Sequence, residues 1–212
     1  MDVEKHRELY LAQQQPILDE LKEMGIYTND IFQYLPQHLH EWKLATPTLV
    51  KWLQFTTYDP FQETIVRLIG VPWLKGSSVA HDLIELSNKP ESSDSLKWAI
   101  GNTMAVIAND AVLDDIIKII DDEENDQSRE MFVVSLGNMK DPKVVPYLVK
   151  LLDHPDLAGH ALVALNKLKA VETIEAVRRL ENHPRTWIRN EAKKTVRKFE
   201  KILEKQATKK NK

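Results

Sequence analysis

Short aliphatic clusters recur along the chain at a nearly regular interval. Ile116-Ile117-Lys118-Ile119-Ile120-Asp121 aligns with Leu148-Val149-Lys150-Leu151-Leu152-Asp153 at an offset of 32 residues, and Ala176-Val177-Arg178-Arg179-Leu180-Glu181 follows 28 residues later. Upstream copies begin at Leu83 (Leu83-Ile84-Glu85-Leu86-Ser87), at Leu49 (Leu49-Val50-Lys51-Trp52-Leu53-Gln54) and, faintly, at Ile17 (Ile17-Leu18-Asp19-Glu20-Leu21-Lys22). A period of this size marks a structural repeat. Each cluster is followed by a second stripe: Ala99, Thr103, Ile107; Phe132, Leu136; Ala161, Leu165; Ala192, Val196. Steps of four stack side chains on one face of a helix. Each unit therefore reads as two antiparallel helices, both apolar on one side.

The breakers agree with that division. Asp59-Pro60, Asp141-Pro142 and Thr46-Pro47 place a capping side chain before a proline suited to the first helical position. His154-Pro155 and His183-Pro184 recur at equivalent turns, which predicts a turn role for both histidines rather than metal ligation. Gly25 and Gly70 follow periodic runs as C-cap glycines do. Together these signals predict helices over 3–24, 30–42 (broken near Pro36), 47–56, 60–69, 77–87, 94–108, 111–121, 126–139, 142–153, 155–168, 171–181 and 184–205. The predicted organisation is one continuous domain: a degenerate helical cap over 1–45, a repeat array over 46–205, and a basic disordered tail over 206–212.

Composition narrows the class. With 42% hydrophobic and 29% charged residues the 212-residue chain is that of a folded protein, and six glycines are too few for the turns of a β-sandwich. There is no cysteine, so no disulfide or thiolate zinc site can form. The charged start at Asp2 to Glu8 predicts no signal peptide, and no apolar run reaches membrane-spanning length, so a cytoplasmic location is expected. The net charge of −3 conceals segregation: nine acids lie between Asp110 and Glu130, and nine bases between Lys193 and Lys212.

From Val112 to Phe199 the chain resembles HEAT-like repeats of the phycobilisome-lyase type, whose second helix carries an aliphatic-Arg-x-x-Ala-x-x-x-Leu pattern. Ile188-Arg189 with Ala192 and Val196 matches it, Ser128-Arg129 with Phe132 and Leu136 matches in part, and Leu157-Ala158 lacks the arginine. Residues 46–110 are a degenerate version. The resemblance implies an all-α superhelix of about six helical pairs, and structural arginines at 129 and 189 that bond carbonyls or an acid between repeats. It implies little about function, since such repeats serve many tasks.

Extended surfaces of stacked repeats bind extended partners. The residues beside each second-helix stripe form the expected partner-binding ladder: Trp98, Asn102, Gln127, Met131, Asp156, His160, Trp187 and Glu191. Two tryptophans among polar residues have the character of interface anchors, while packing against a neighbouring repeat is the plainer role for both. Trp52 and Trp73 read as core or edge packing. The expected function is a non-catalytic scaffold for a protein or peptide, with no cofactor and no membrane partner. The acidic stretch favours a basic segment.

Enzymatic signatures are sparse. His38-x-His40-Glu41 is the one local cluster that could suggest a metal, but residues two apart leave a helix in different directions. Neither a Gly-x-Ser-x-Gly elbow nor a phosphate loop occurs. The alternative is nucleic-acid binding through Arg185, Lys194, Lys198 and Lys201. The resemblance extends remotely to HEAT-like alkylpurine DNA glycosylases through Trp187, Arg185, Arg189 and Asp156, although the segment richest in tryptophan in those enzymes is not recognisable.

Overall fold

A computed structural model describes residues 3–210 of the chain. Every regular element among them is helical. The chain forms two compact units, the first ending at Ile107 and the second beginning at Ala108.

The first unit contains α1 (Val3–Glu23), α2 (Ile31–Tyr34), α3 (Leu39–Leu53), α4 (Asp59–Leu68), α5 (Val79–Ser87) and α6 (Asp94–Ile107). Helix α1 packs on α3 and α4, α3 on α4, and α6 on α4 and α5. The apolar positions that define the repeat are the ones removed from water. Ile17, Leu21, Leu49, Leu83, Ala99 and Ile107 are all completely buried, as is Phe61. Burying one Leu, Ile or Phe contributes about 1.5–3 kcal/mol, so packing rather than helix propensity orders these short elements.

The second unit contains α7 (Leu113–Asp121), α8 (Arg129–Ser135), α9 (Val144–Leu151), α10 (Ala158–Leu168), α11 (Ile174–Arg178) and α12 (Thr186–Lys210). Helices α7, α9 and α11 pack on α8, α10 and α12 respectively, and α10 lies between α8 and α12. Here the core is Ile116, Phe132, Leu136, Leu148, Ala161, Leu165, Val177, Ile188, Ala192 and Phe199. Each aliphatic cluster begins in an odd-numbered helix, and the second stripes of this unit begin in the even-numbered helices, with Leu136 in the single turn that follows α8.

Several local expectations change. Thr46-Pro47 does not start a helix, and α3 runs through it and through the boundary expected at 45/46. The Thr46 hydroxyl donates to the Trp42 carbonyl instead (2.7 Å). Lys43 and Pro47 both face outward, where solvent can satisfy the carbonyl that proline leaves without an N–H partner. Asp59 lies inside α4, and its carboxylate accepts from the Ser93 N–H (2.9 Å), tying the start of α6 to α4. Gly25 has φ +81°, with the Ile26 N–H reaching back to the Leu21 carbonyl, a left-handed cap that glycine adopts without strain. Gly70 keeps a negative φ, and its lack of a side chain serves packing: a β-carbon there would stand 3.1 Å from the Thr103 hydroxyl.

The last helix continues five residues past the expected end at 205, so 206–210 of the expected disordered tail is helical, and 211–212 lie outside the described residues. Residues 203–207 read Leu-Glu-Lys-Gln-Ala, all strong helix formers, which carries the helix beyond the last core contact.

Candidate partner-binding surface

The recurrent His-Pro turns set the start of α10 and α12. The His154 imidazole Nδ1 accepts from the N–H groups of Asp156 and Leu157, both at 3.2 Å. His183 Nδ1 accepts from the Arg185 N–H at 3.1 Å. Each ring ties down N–H groups of the turn that leads into its helix. Arg189 then donates to the carbonyls of His183 (2.7 Å) and Pro184 (3.2 Å), and Arg129 to the carbonyl of Ile120 (3.3 Å). Arg189 thus braces the turn before its own helix, while Arg129 reaches back to α7 and its charge also acts on Tyr147 and Asp156 of the following pair.

With its turn fixed from both sides, α12 presents Trp187 from its first turn. The indole lies directly over Gly159 of α10: a β-carbon at that glycine would stand 1.8 Å from Cη2 and 2.4 Å from Cζ2 of the ring. The His160 ring is tilted against it, with centroids 5.5 Å apart. Trp187 nevertheless remains 45% exposed. It is packed on one face and open on the other. The indole N–H groups of Trp42, Trp52 and Trp73 are used within the fold, on the Leu68 carbonyl, Glu20 and Thr46. That of Trp187 donates to no protein group among the described residues.

Polar groups surround this ring. His160 Nε2 faces Glu130 Oε2 of α8 at 3.6 Å. Burial pushes the His160 pKa down, and the Glu130 carboxylate and the Asp156 backbone oppose that shift without cancelling it. Its Nδ1 is buried and makes no well-formed hydrogen bond. Arg185 donates to Asp156 (2.8 Å), and this guanidinium holds the exposed carboxylate below its ordinary pKa. Glu191 accepts from the Asn166 amide (2.9 Å) and faces Lys194 (3.3 Å). Lys198 donates to the Asn166 carbonyl (3.0 Å) and to its side-chain oxygen, capping the C-terminal turn of α10.

The expected ladder is therefore resolved unevenly. In the second unit the structure brings His160 to Trp187, and Asp156 to Arg185. Met131 is half-buried in α8, and Gln127 is exposed in the turn before it. In the first unit Trp98 is half-buried, and its carbonyl accepts from the Asn102 amide one turn on (2.9 Å). Trp52 and Trp73 take edge positions, Trp73 meeting Trp42 edge-on at 5.7 Å. His38 stacks on Tyr34 with centroids 3.8 Å apart, which occupies its ring, while His40 is exposed.

Two participants escape the sequence reading, Gly159 and Glu130. The signal for Gly159 was present, because an isolated glycine inside a helical pattern needs a packing reason. Glu130 had none, since its partner lies 30 residues away. No helix among the described residues is long and apolar enough to cross a membrane. Comparison with known proteins finds no matching family model, no matching curated protein and no matching solved structure.

Proposed function

We propose that this chain is a helical-repeat binding protein of the HEAT-like kind, non-catalytic and cytoplasmic, which captures an extended protein or peptide segment on its even-numbered helices. The observation that carries this reading is Trp187, an indole seated on Gly159 and against His160 yet 45% exposed. A preordered aromatic loses little conformational entropy on binding, and tryptophan is among the residues most enriched at interface hot spots. Its free N–H offers one directional bond. Glu130, Asp156 and Glu191 around it favour a segment bearing Lys or Arg, whose cation can lie over the indole face. Asp156 is exposed and already paired with Arg185, an arrangement suited to holding a partner rather than to abstracting a proton.

The test is an array of short peptides rich in Lys, Arg and aromatic residues, probed with the wild-type chain and with Trp187→Ala and Trp98→Ala. Truncating a hot-spot tryptophan costs about 2 kcal/mol or more, so binding to the retained peptides should fall roughly thirtyfold in Trp187→Ala with helicity unchanged. Equal binding by wild type and Trp187→Ala would remove this surface from the function. A loss in Trp98→Ala as well would give the first unit a binding surface of its own on α6.

A further inference from the structure

Beyond Trp187 the exposed side of α12 changes character. An open groove of about 830 Å³ runs between this helix and the turn that ends α10. It is lined by Lys169, Lys193, Lys194, Arg197, Lys198, Lys201 and Lys205, together with only Asn190 and Ile202, and holds no carboxylate. Two of these cations are engaged, Lys194 by Glu191 and Lys198 by Asn166. The other five have no ion-pair partner among the described residues. Of the three carboxylates in α12, Glu191 holds Lys194 and Glu200 turns to Arg178 (3.3 Å), and none of the three, Glu204 included, lines the groove.

A second observation is independent of the charge count. Lys169 is the one non-glycine residue with positive φ among those described (φ 57°). It occupies the left-handed position after α10 where glycine is favoured, and it lines the groove. A cation thus stands where the backbone prefers no side chain. Strain of this kind marks positions where function and stability compete.

We propose that this row docks the phosphate backbone of a double-helical nucleic acid. From Lys193 to Lys205 the cations extend over about 18 Å at the helical rise of 1.5 Å per residue. That is too long for one phosphate group and suits a linear array of them. Protein interfaces are depleted in lysine and centre on buried aromatic or arginine anchors, and this groove has Ile202 alone as an apolar element. Insertion into a membrane needs an apolar face, but Ile188, Val196 and Phe199 are buried in the core of the unit, so adsorption to anionic lipid by charge alone is the competing case that the vesicles test. Single strands are held by several stacked aromatics, and the row has none. What remains is charge at regular spacing, which reads a backbone and not a base sequence.

The test uses the full chain and a fluorescently labelled duplex of arbitrary sequence, with phosphatidylserine vesicles and poly-glutamate as competing probes. With four or five phosphates neutralised, affinity should fall about a hundredfold or more between 50 and 200 mM salt. The variant Lys193→Glu/Arg197→Glu/Lys201→Glu/Lys205→Glu spares Lys198, which caps α10, and should abolish binding while keeping its helicity. Should that variant unfold, Arg197→Gln/Lys201→Gln should still weaken binding at least tenfold. Trp187→Ala should leave duplex affinity within twofold, which separates this proposal from the peptide surface. Absence of duplex binding at 50 mM salt, unchanged binding by the folded charge variants, or tighter binding to vesicles or poly-glutamate would each overturn it.

Discussion

At the scale of single residues, the surface around Trp187 depends on a side chain that is missing. Gly159 lies in the first turn of α10, where alanine would ordinarily be the better helix residue by up to about 1 kcal/mol. Yet a β-carbon there would stand 1.8 Å from the Trp187 ring, so the indole would have to leave its seat. The two positions should therefore be strongly coupled. In the wild-type background Gly159→Ala is expected to destabilise the fold by about 1–2 kcal/mol, as overpacking does, and to shift Trp187 emission toward that of a solvated indole. In the Trp187→Ala background the same change should be neutral or stabilising. Urea unfolding of the four proteins measures the cycle, and equal effects in both backgrounds would show that the indole does not rest on this glycine.

At the scale of elements, periodicity revealed what packing enforces and little else. The stripe Ala192, Val196 and its equivalents were legible because burial repeats every turn, and the core residues of α7 to α12 follow from it. The helix through Pro47 was not legible: proline at a helix start and proline on an exposed helix face leave the same sequence trace. Nor was the turn after α10. Nothing in Leu168-Lys169-Ala170 announces a left-handed lysine, since Asn166, Leu165 and the chain beyond impose it through the N–H groups of Lys169 and Ala170. That turn yields a second prediction. Lys169→Gly relieves the positive φ and should stabilise the protein by about 0.5–1 kcal/mol despite the added freedom of the unfolded chain. The same substitution removes one cation from the groove on α12 and should weaken duplex binding slightly. A gain in stability with a loss of binding is the signature of a residue kept for its charge; a loss of stability would show that the lysine stem packs there.

At the scale of the whole molecule, the shifted ionisations define a pH window for folding. His160 is depressed chiefly by burial, so the native state favours its neutral form. Its contribution is fully present above the unfolded value of about 6.5 and is lost as pH falls from there toward the lower native value. Glu20 is held down by hydrogen bonds from Lys51 and Trp52, and Asp156 by Arg185, so both favour the ionised form in the native state. Their contributions hold above the unfolded carboxylate range near 4 and fade only as pH falls through the lower native values. The signs therefore agree on the acid side but act in two separated steps, histidine first. On the alkaline side, burial raises Tyr147, with its hydrogen bond to Asp121 adding to the shift, and burial also raises Tyr10. Those contributions persist below about 10 and are lost above it. The melting temperature should form a plateau between roughly pH 7 and 9, fall gently toward pH 5, and fall steeply below 4. His160→Gln, which cannot titrate, should flatten the step between pH 7 and 5 while leaving the steep carboxylate limb in place. If its melting profile falls across pH 7 to 5 as much as that of the wild type, the gentle step belongs to another group and the neutral His160 beside Trp187 is not what the fold protects.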